Sequence, residues 1–82
     1  MPKFMDHHPM PAVSPEMAAQ IQASIASGRV DEFGVKGLSV FMGEGEAWCV
    51  SEAADVDAVC KSHEALGIKL ERGQVAQVQS IP

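Results

Sequence analysis

The sequence has few of the features that mark membrane, secreted or nucleic-acid-binding proteins. No apolar run approaches the roughly 20 residues that a membrane-spanning helix needs, and nothing at the N-terminus resembles a signal peptide. The only two cysteines, Cys49 and Cys60, lie in apolar contexts, so we expect free thiols and a cytoplasmic protein. The six Lys and Arg residues are scattered and the net charge is −5. This argues against nucleic acid as a partner, because phosphate binding needs a basic patch.

The composition predicts one small folded domain over residues 1–82. Hydrophobic residues make up 46 % of the chain and charged residues 21 %, with no low-complexity tract to indicate disorder. A chain of this size buries only about 60 to 65 % of its unfolded surface. We therefore expect modest stability, to which dimerisation would add.

Capping residues and hydrophobic periodicity together predict six elements of regular structure. Ser14 is a typical N-cap and Pro15 a typical first helical residue, while Asp55 is placed to begin a second helix and Gly67 to end it. The predicted elements are a strand over 3–8, a helix over 15–27, a hairpin of strands 38–42 and 47–51 with a loop of about four residues, a helix over 55–66 and an edge strand over 75–80.

The order β-α-β-β-α-β is typical of the ferredoxin-like α+β fold, in which two helices cover one face of a four-stranded antiparallel sheet. The opposite face of the sheet then needs cover. Trp48 and Val50 are candidates for an exposed apolar surface there, and a contiguous patch of this kind usually marks an interface. We expect a homodimer formed through that face.

The segment Phe4-Met5-Asp6-His7-His8 contains two of the three histidines beside a carboxylate. Side chains two apart on a strand share a face, so Asp6 and His8 lie about 7 Å apart on one face and His7 lies on the other. Imidazole and carboxylate together suit a borderline divalent cation. His63 lies on the apolar stripe of the second helix and faces inward. The candidate metal ligands are Asp6, His7, His8 and His63.

These residues also allow other interpretations. His63 fits a neutral, hydrogen-bonded core residue, and Asp6 fits a partner for Lys3 or Arg72. A dimeric α+β-barrel enzyme would use His63 or His8 as general base with Asp6 as its orienter, although no nucleophile or cofactor motif supports it. The third alternative is a plain dimeric interaction module whose histidines are incidental.

Three segments of the chain resemble a family of small bacterial nickel-binding, ferredoxin-like domains, many of which have only an unknown-function label. The segments are Phe4-Met5-Asp6-His7-His8, Trp48-Cys49-Val50-Ser51-Glu52-Ala53 and Val59-Cys60-Lys61-Ser62-His63-Glu64-Ala65-Leu66-Gly67. The most specific matches are Asp6, His8, Cys49, His63 and Gly67. Lys69 is a departure, since family members often have proline at that position.

The resemblance implies a homodimer with its sheets packed face to face. It also implies a divalent metal ion bound by groups of the first strand. Nickel is the favoured ion, with copper or zinc as alternatives.

Overall fold

The helices and strands follow the predicted order. The computed structural model describes residues 1–10 and 13–81. Its elements are β1 (Lys3–Pro9), α1 (Pro15–Ser27), β2 (Lys36–Gly43), β3 (Glu46–Glu52), α2 (Val56–Ala65) and β4 (Val75–Val78), with a short 3-10 turn at Arg72–Gln74 before the last strand. The ferredoxin-like α+β fold is therefore confirmed, although the last strand ends at Val78 rather than at residue 80.

The sheet has the strand order β2-β3-β1-β4, and all three pairings are antiparallel. In the register of the two central strands, Asp6 lies opposite Cys49 and His8 lies opposite Ala47. Val40 of β2 lies on the other side of Cys49. Directly opposed residues share a face, so this register determines which side chains meet beneath the helices.

The β2–β3 hairpin is tighter than predicted. Strand pairing continues to Gly43 and Glu46, which leaves Glu44 and Gly45 as a two-residue turn with φ values of 54° and 76°. Positive φ at both central residues is the type I′ pattern, whose twist matches that of the flanking strands. The turn thus fixes the register that places Cys49 in the centre of the sheet.

Both helices begin at the predicted caps. The Ser14 hydroxyl accepts a hydrogen bond from the Met17 amide at 3.1 Å, and the Asp55 carboxylate accepts one from the Ala58 amide at 2.9 Å. Each bond satisfies an amide that the first helical turn leaves free. Gly67, at φ 82°, follows the end of α2.

The hydrophobic core lies between the sheet and α2. It consists of Phe4, Val35, Ala53, Val59 and Leu70. By contrast, α1 has no buried residue, even though its sequence carries an apolar stripe. Consequently α2 contributes to the core through Val59, whereas the apolar side of α1 stays partly exposed.

The face of the sheet away from the helices is apolar and partly exposed. Trp48 lies opposite both His7 and Phe41, and Val50 lies opposite Met5. Phe41 is 62 % exposed and Met5 41 %. This surface, which we call the outer face, contains both residues proposed for a dimer interface. No helix among residues 1–10 and 13–81 is long and apolar enough to cross a membrane.

We predict that two copies of the chain associate through their outer faces. Trp48→Glu would place a charge in the middle of this apolar surface, so light scattering at tens of micromolar protein should give a dimer mass for the parent and a monomer mass for the variant. Met17→Glu, on the exposed side of α1, is the matched control and should stay dimeric. A monomeric parent would contradict the prediction, and a dimeric Trp48→Glu would place the interface elsewhere.

Candidate metal centre

Four side chains of types that can bind a metal ion, from three elements, come together between the sheet and α2. Asp6 and His8 point to the helix face of β1, where they are 0 % and 2 % exposed. Cys49 reaches the same point from β3, because it lies opposite Asp6, and His63 descends from the last turn of α2. The strand alternation and the helix stripe thus converge on one buried cluster.

The distances within the cluster are short enough for a single ion to contact every member. His63 Nε2 lies 3.3 Å from Asp6 Oδ1, and His8 Nε2 lies 3.5 Å from the same oxygen. Cys49 Sγ is 3.9 Å from His8 Nε2. All four ligand atoms fall within 4.8 Å of one another. Two bonds of about 2.0 to 2.3 Å to a central ion span up to about 4.6 Å, so small side-chain shifts bring all four atoms into contact with one ion.

Backbone carbonyls fix the orientation of both imidazoles. His8 Nδ1 lies 3.0 Å from the Pro9 carbonyl oxygen, and His63 Nδ1 lies 2.9 Å from the Val59 carbonyl oxygen. A carbonyl only accepts, so Nδ1 carries a hydrogen in both rings and Nε2 faces the cluster. Metal-binding histidines are commonly held in this way, with the remote nitrogen bonded to a carbonyl or carboxylate.

The Asp6 carboxylate is the group of the site that is most costly to bury. It is fully buried, and neither oxygen has a hydrogen bond of good geometry among the residues that the structure describes. Burying a charged group without compensation is costly, so it is normally paired or bound to a metal. The two Nε2 atoms beside Asp6 show where a compensating positive charge would lie.

His63 supplies such a charge when no metal is present. Burial is the largest single influence and would lower the pKa of His63, but the contact with Asp6 and three smaller influences outweigh it in sum. A contact with Cys49, the negative charge of Asp6 and the Val59 carbonyl act in the same direction, and together they raise the pKa from 6.5 to about 10. The 3.3 Å separation from Asp6 is longer than the best charge-assisted hydrogen bonds. We therefore regard this contact as a loose ion pair.

A hydrogen bond next to His63 ties α2 to the loop that precedes β2. The Ser62 hydroxyl donates to Asp31 Oδ2 at 2.5 Å, and Asp31 Oδ1 accepts from the amides of Phe33 and Val35 at 2.9 and 3.0 Å. Burial would raise the pKa of Asp31, but these hydrogen bonds, led by that from Ser62, lower it. Asp31 thus stays ionised and helps hold the helix that carries His63.

The structure separates His7 from the other sequence candidates. Its ring lies on the outer face, stacked on Trp48 with centroids 4.8 Å apart and planes at 10°. Its Nε2 atom is 2.9 Å from Glu46 Oε1. Arg72, considered as a partner for Asp6, contacts Asp57 instead.

Cys49 is the member of the cluster that reasoning from residue spacing missed. Its neighbours in sequence, Trp48 and Val50, are apolar, so nothing local indicates a ligand, although the family resemblance includes Cys49. Both cysteines are free, as predicted. Cys49, not Cys60, lies beside the imidazoles. Burial, followed by the charges of Asp6 and Glu71, raises the pKa of the Cys60 thiol, so Cys60 stays protonated.

Comparison with known proteins establishes a shared fold. No family model and no curated protein matches the chain. The crystal structure of SCO4226 from Streptomyces coelicolor A3(2) is similar to it, with a TM-score of 0.72 and 22 % identity over 98 % of this chain and 99 % of that one. At this identity the similarity supports the ferredoxin-like architecture alone.

The raised pKa of His63 predicts how stability depends on pH in the metal-free protein. The folded state holds the imidazolium more tightly than the unfolded state, whose pKa is near 6.5. The stabilisation is therefore complete below pH 6.5 and is lost as the pH rises toward about 10. Urea unfolding with chelator at pH 6, 8 and 10 should show this fall in the free energy of unfolding.

His63→Gln should remove most of that dependence, whereas His7→Gln, on the exposed outer face, should retain it. If the parent and His63→Gln give parallel profiles, the Asp6–His63 ion pair does not contribute to stability.

Proposed function

We propose that this protein binds a divalent metal ion of the nickel type at Asp6, His8, Cys49 and His63, and that it buffers this ion as a homodimer. The observation that carries the proposal is the buried Asp6 carboxylate. It has no hydrogen bond of good geometry among the described residues, yet it faces two imidazole nitrogens at 3.3 and 3.5 Å.

The donor set suits borderline divalent ions. Two neutral imidazoles, a carboxylate and a thiolate together carry two negative charges, which balance a divalent cation. Imidazole favours nickel, copper and zinc, whereas magnesium and calcium prefer oxygen ligands. The family resemblance favours nickel. Copper and zinc should compete, because affinity order alone gives nickel no advantage over copper.

A purely structural role explains the cluster less well. With Nδ1 of His8 donating to the Pro9 carbonyl, a neutral His8 presents the lone pair of Nε2 to the Asp6 carboxylate, which is itself an acceptor. Two buried acceptors facing each other are unfavourable unless a cation lies between them. Apolar residues of similar size would usually stabilise the same position at least as well as a buried ion pair.

The pKa of His63 argues against the alternative in which His63 is the general base of an enzyme. A general base works best when its pKa lies near the operating pH, whereas His63, with a pKa of about 10, is already protonated at neutral pH in the metal-free protein. A plain interaction module gives no reason to bury Asp6 and His8 side by side in so small a core. Metal binding accounts for the whole cluster.

Equilibrium dialysis against Ni²⁺, Cu²⁺, Zn²⁺ and Mg²⁺, with metal counted per chain, tests the proposal. We expect one nickel, copper or zinc ion per chain and no magnesium. Loss of an outer hydrogen-bond partner alone typically weakens metal binding about 10- to 100-fold. Removing a ligand in Cys49→Ser or His63→Gln should therefore weaken it at least that much.

The matched control is His7→Ala, because His7 is adjacent to His8 but lies on the outer face. It should bind nickel as the parent does. Circular dichroism confirms that each variant is folded before its affinity is compared. Unchanged nickel affinity in folded Cys49→Ser and His63→Gln, or loss of binding in His7→Ala, would contradict the proposed site.

A further inference from the structure

The proposed metal ion accounts for only one of the two oxygens of Asp6. Both imidazole Nε2 atoms lie nearest to Oδ1, at 3.3 Å from His63 and 3.5 Å from His8, so an ion held among these groups contacts Oδ1. Oδ2 is also buried, and none of the described residues donates a hydrogen bond to it. A carboxylate oxygen can only accept, so Oδ2 needs a hydrogen-bond donor of its own.

Ser51 carries the other buried side-chain atom that lacks a partner. The residue is 4 % exposed, and its hydroxyl makes no hydrogen bond to any residue in 1–10 or 13–81. A hydroxyl has one hydrogen to donate, and leaving such a group unpaired in the interior is costly. The Ser51 hydroxyl and Asp6 Oδ2 are therefore a donor and an acceptor, each without a partner.

The strand register makes Ser51 and Asp6 neighbours on the helix face of the sheet. Ser51 lies opposite Phe4, and Cys49 lies opposite Asp6. Ser51 and Cys49 are two residues apart on β3 and so share a face, which makes Ser51 the diagonal neighbour of Asp6. Cα atoms of diagonal pairs lie about 7 to 8 Å apart. A hydrogen bond across this distance forms directly after a change of side-chain rotamer, or through one water molecule, which is nearly as favourable.

The thiol of Cys60 is the competing donor for Oδ2. It lies on α2, close enough to Asp6 for the carboxylate charge to raise its pKa, after the larger effect of burial. A thiol is a weak donor, however, whereas hydrogen bonds from hydroxyl groups to carboxylates are short and strong. Ser51 is therefore the better partner for Oδ2.

We propose that Ser51 positions the Asp6 carboxylate for metal binding, with its hydroxyl donating a hydrogen bond to Oδ2 while Oδ1 binds the ion. The inference rests on the proposed metal site. The hydrogen bond keeps Oδ1 turned toward the two imidazoles and stabilises the negative charge on the oxygen that the ion does not contact. Ser51 acts on the ion only through Asp6, as hydrogen-bond partners of metal ligands commonly do.

Ser51→Ala tests this inference, because it removes the hydroxyl and leaves the rest of the side chain. Dialysis first establishes one nickel ion per chain in the parent, and failure at this step counts against the proposed metal site. Ser51→Ala should then bind nickel about 10- to 100-fold more weakly. The visible bands of cobalt(II) in the loaded protein, which report the arrangement of its ligands, should shift in this variant.

The stability of the metal-free protein separates a positioning role from a structural one. In urea with chelator, Ser51→Ala should be at least as stable as the parent, because the hydroxyl that it loses has no partner in the metal-free structure. A residue that only supports the fold would instead lose stability together with affinity, and that result would overturn the inference.

Cys60→Ala is the matched control, because it removes the competing thiol near the same carboxylate. It should bind nickel as the parent does and leave the cobalt bands unchanged. Nickel affinity in Ser51→Ala equal to that of the parent would overturn the inference and leave the metal site standing. Equal weakening in Cys60→Ala would also overturn it, because the effect would then not be specific to the Ser51 hydroxyl.

Discussion

The confinement of the Asp6 carboxylate beneath α2 is the constraint on which the rest of the structure depends. A buried negative charge needs a positive partner. Three features of the fold place beside Asp6 the groups that can hold a cation there. The alternation of β1 brings His8 to the same face, the β2–β3 hairpin sets the register that places Cys49 opposite Asp6, and α2 brings His63 within 3.3 Å.

The same constraint explains why the two helices pack so differently. Val59 of α2 belongs to the core, and its carbonyl also orients the ring of His63. The packing of α2 on the sheet therefore also sets the geometry of the cluster. Asp31 and Ser62 reinforce it from the loop before β2. No residue of α1 is buried, and the space left on that side is an apolar groove lined by α1 and β2. The polar cluster and the space beside α1 thus lie on the helix face of the sheet, and the outer face lies opposite them.

Local patterns in the sequence were sufficient for the fold and for part of the site. Capping by Ser14 and Asp55, strand alternation around Asp6 and the stripe containing His63 all depend on neighbours in sequence, and the structure agrees with each. Cys49 was missed because its role depends on pairing between β1 and β3, which are far apart in the chain. The groove was missed for a similar reason: the stripe of α1 predicts a buried helix face, whereas tertiary packing decides how closely that face approaches the sheet.

X-ray absorption at the nickel edge of the loaded protein tests whether Cys49 is a ligand, because it detects sulfur among the atoms bound to the metal. We expect one sulfur at a thiolate distance, about 2.3 Å for zinc and similar for nickel, together with imidazole nitrogens. In Cys49→Ser the sulfur signal should disappear while imidazole scattering remains. A shell of nitrogen and oxygen alone in the parent would show that the ion binds away from Cys49, and would rule out the proposed ligand set.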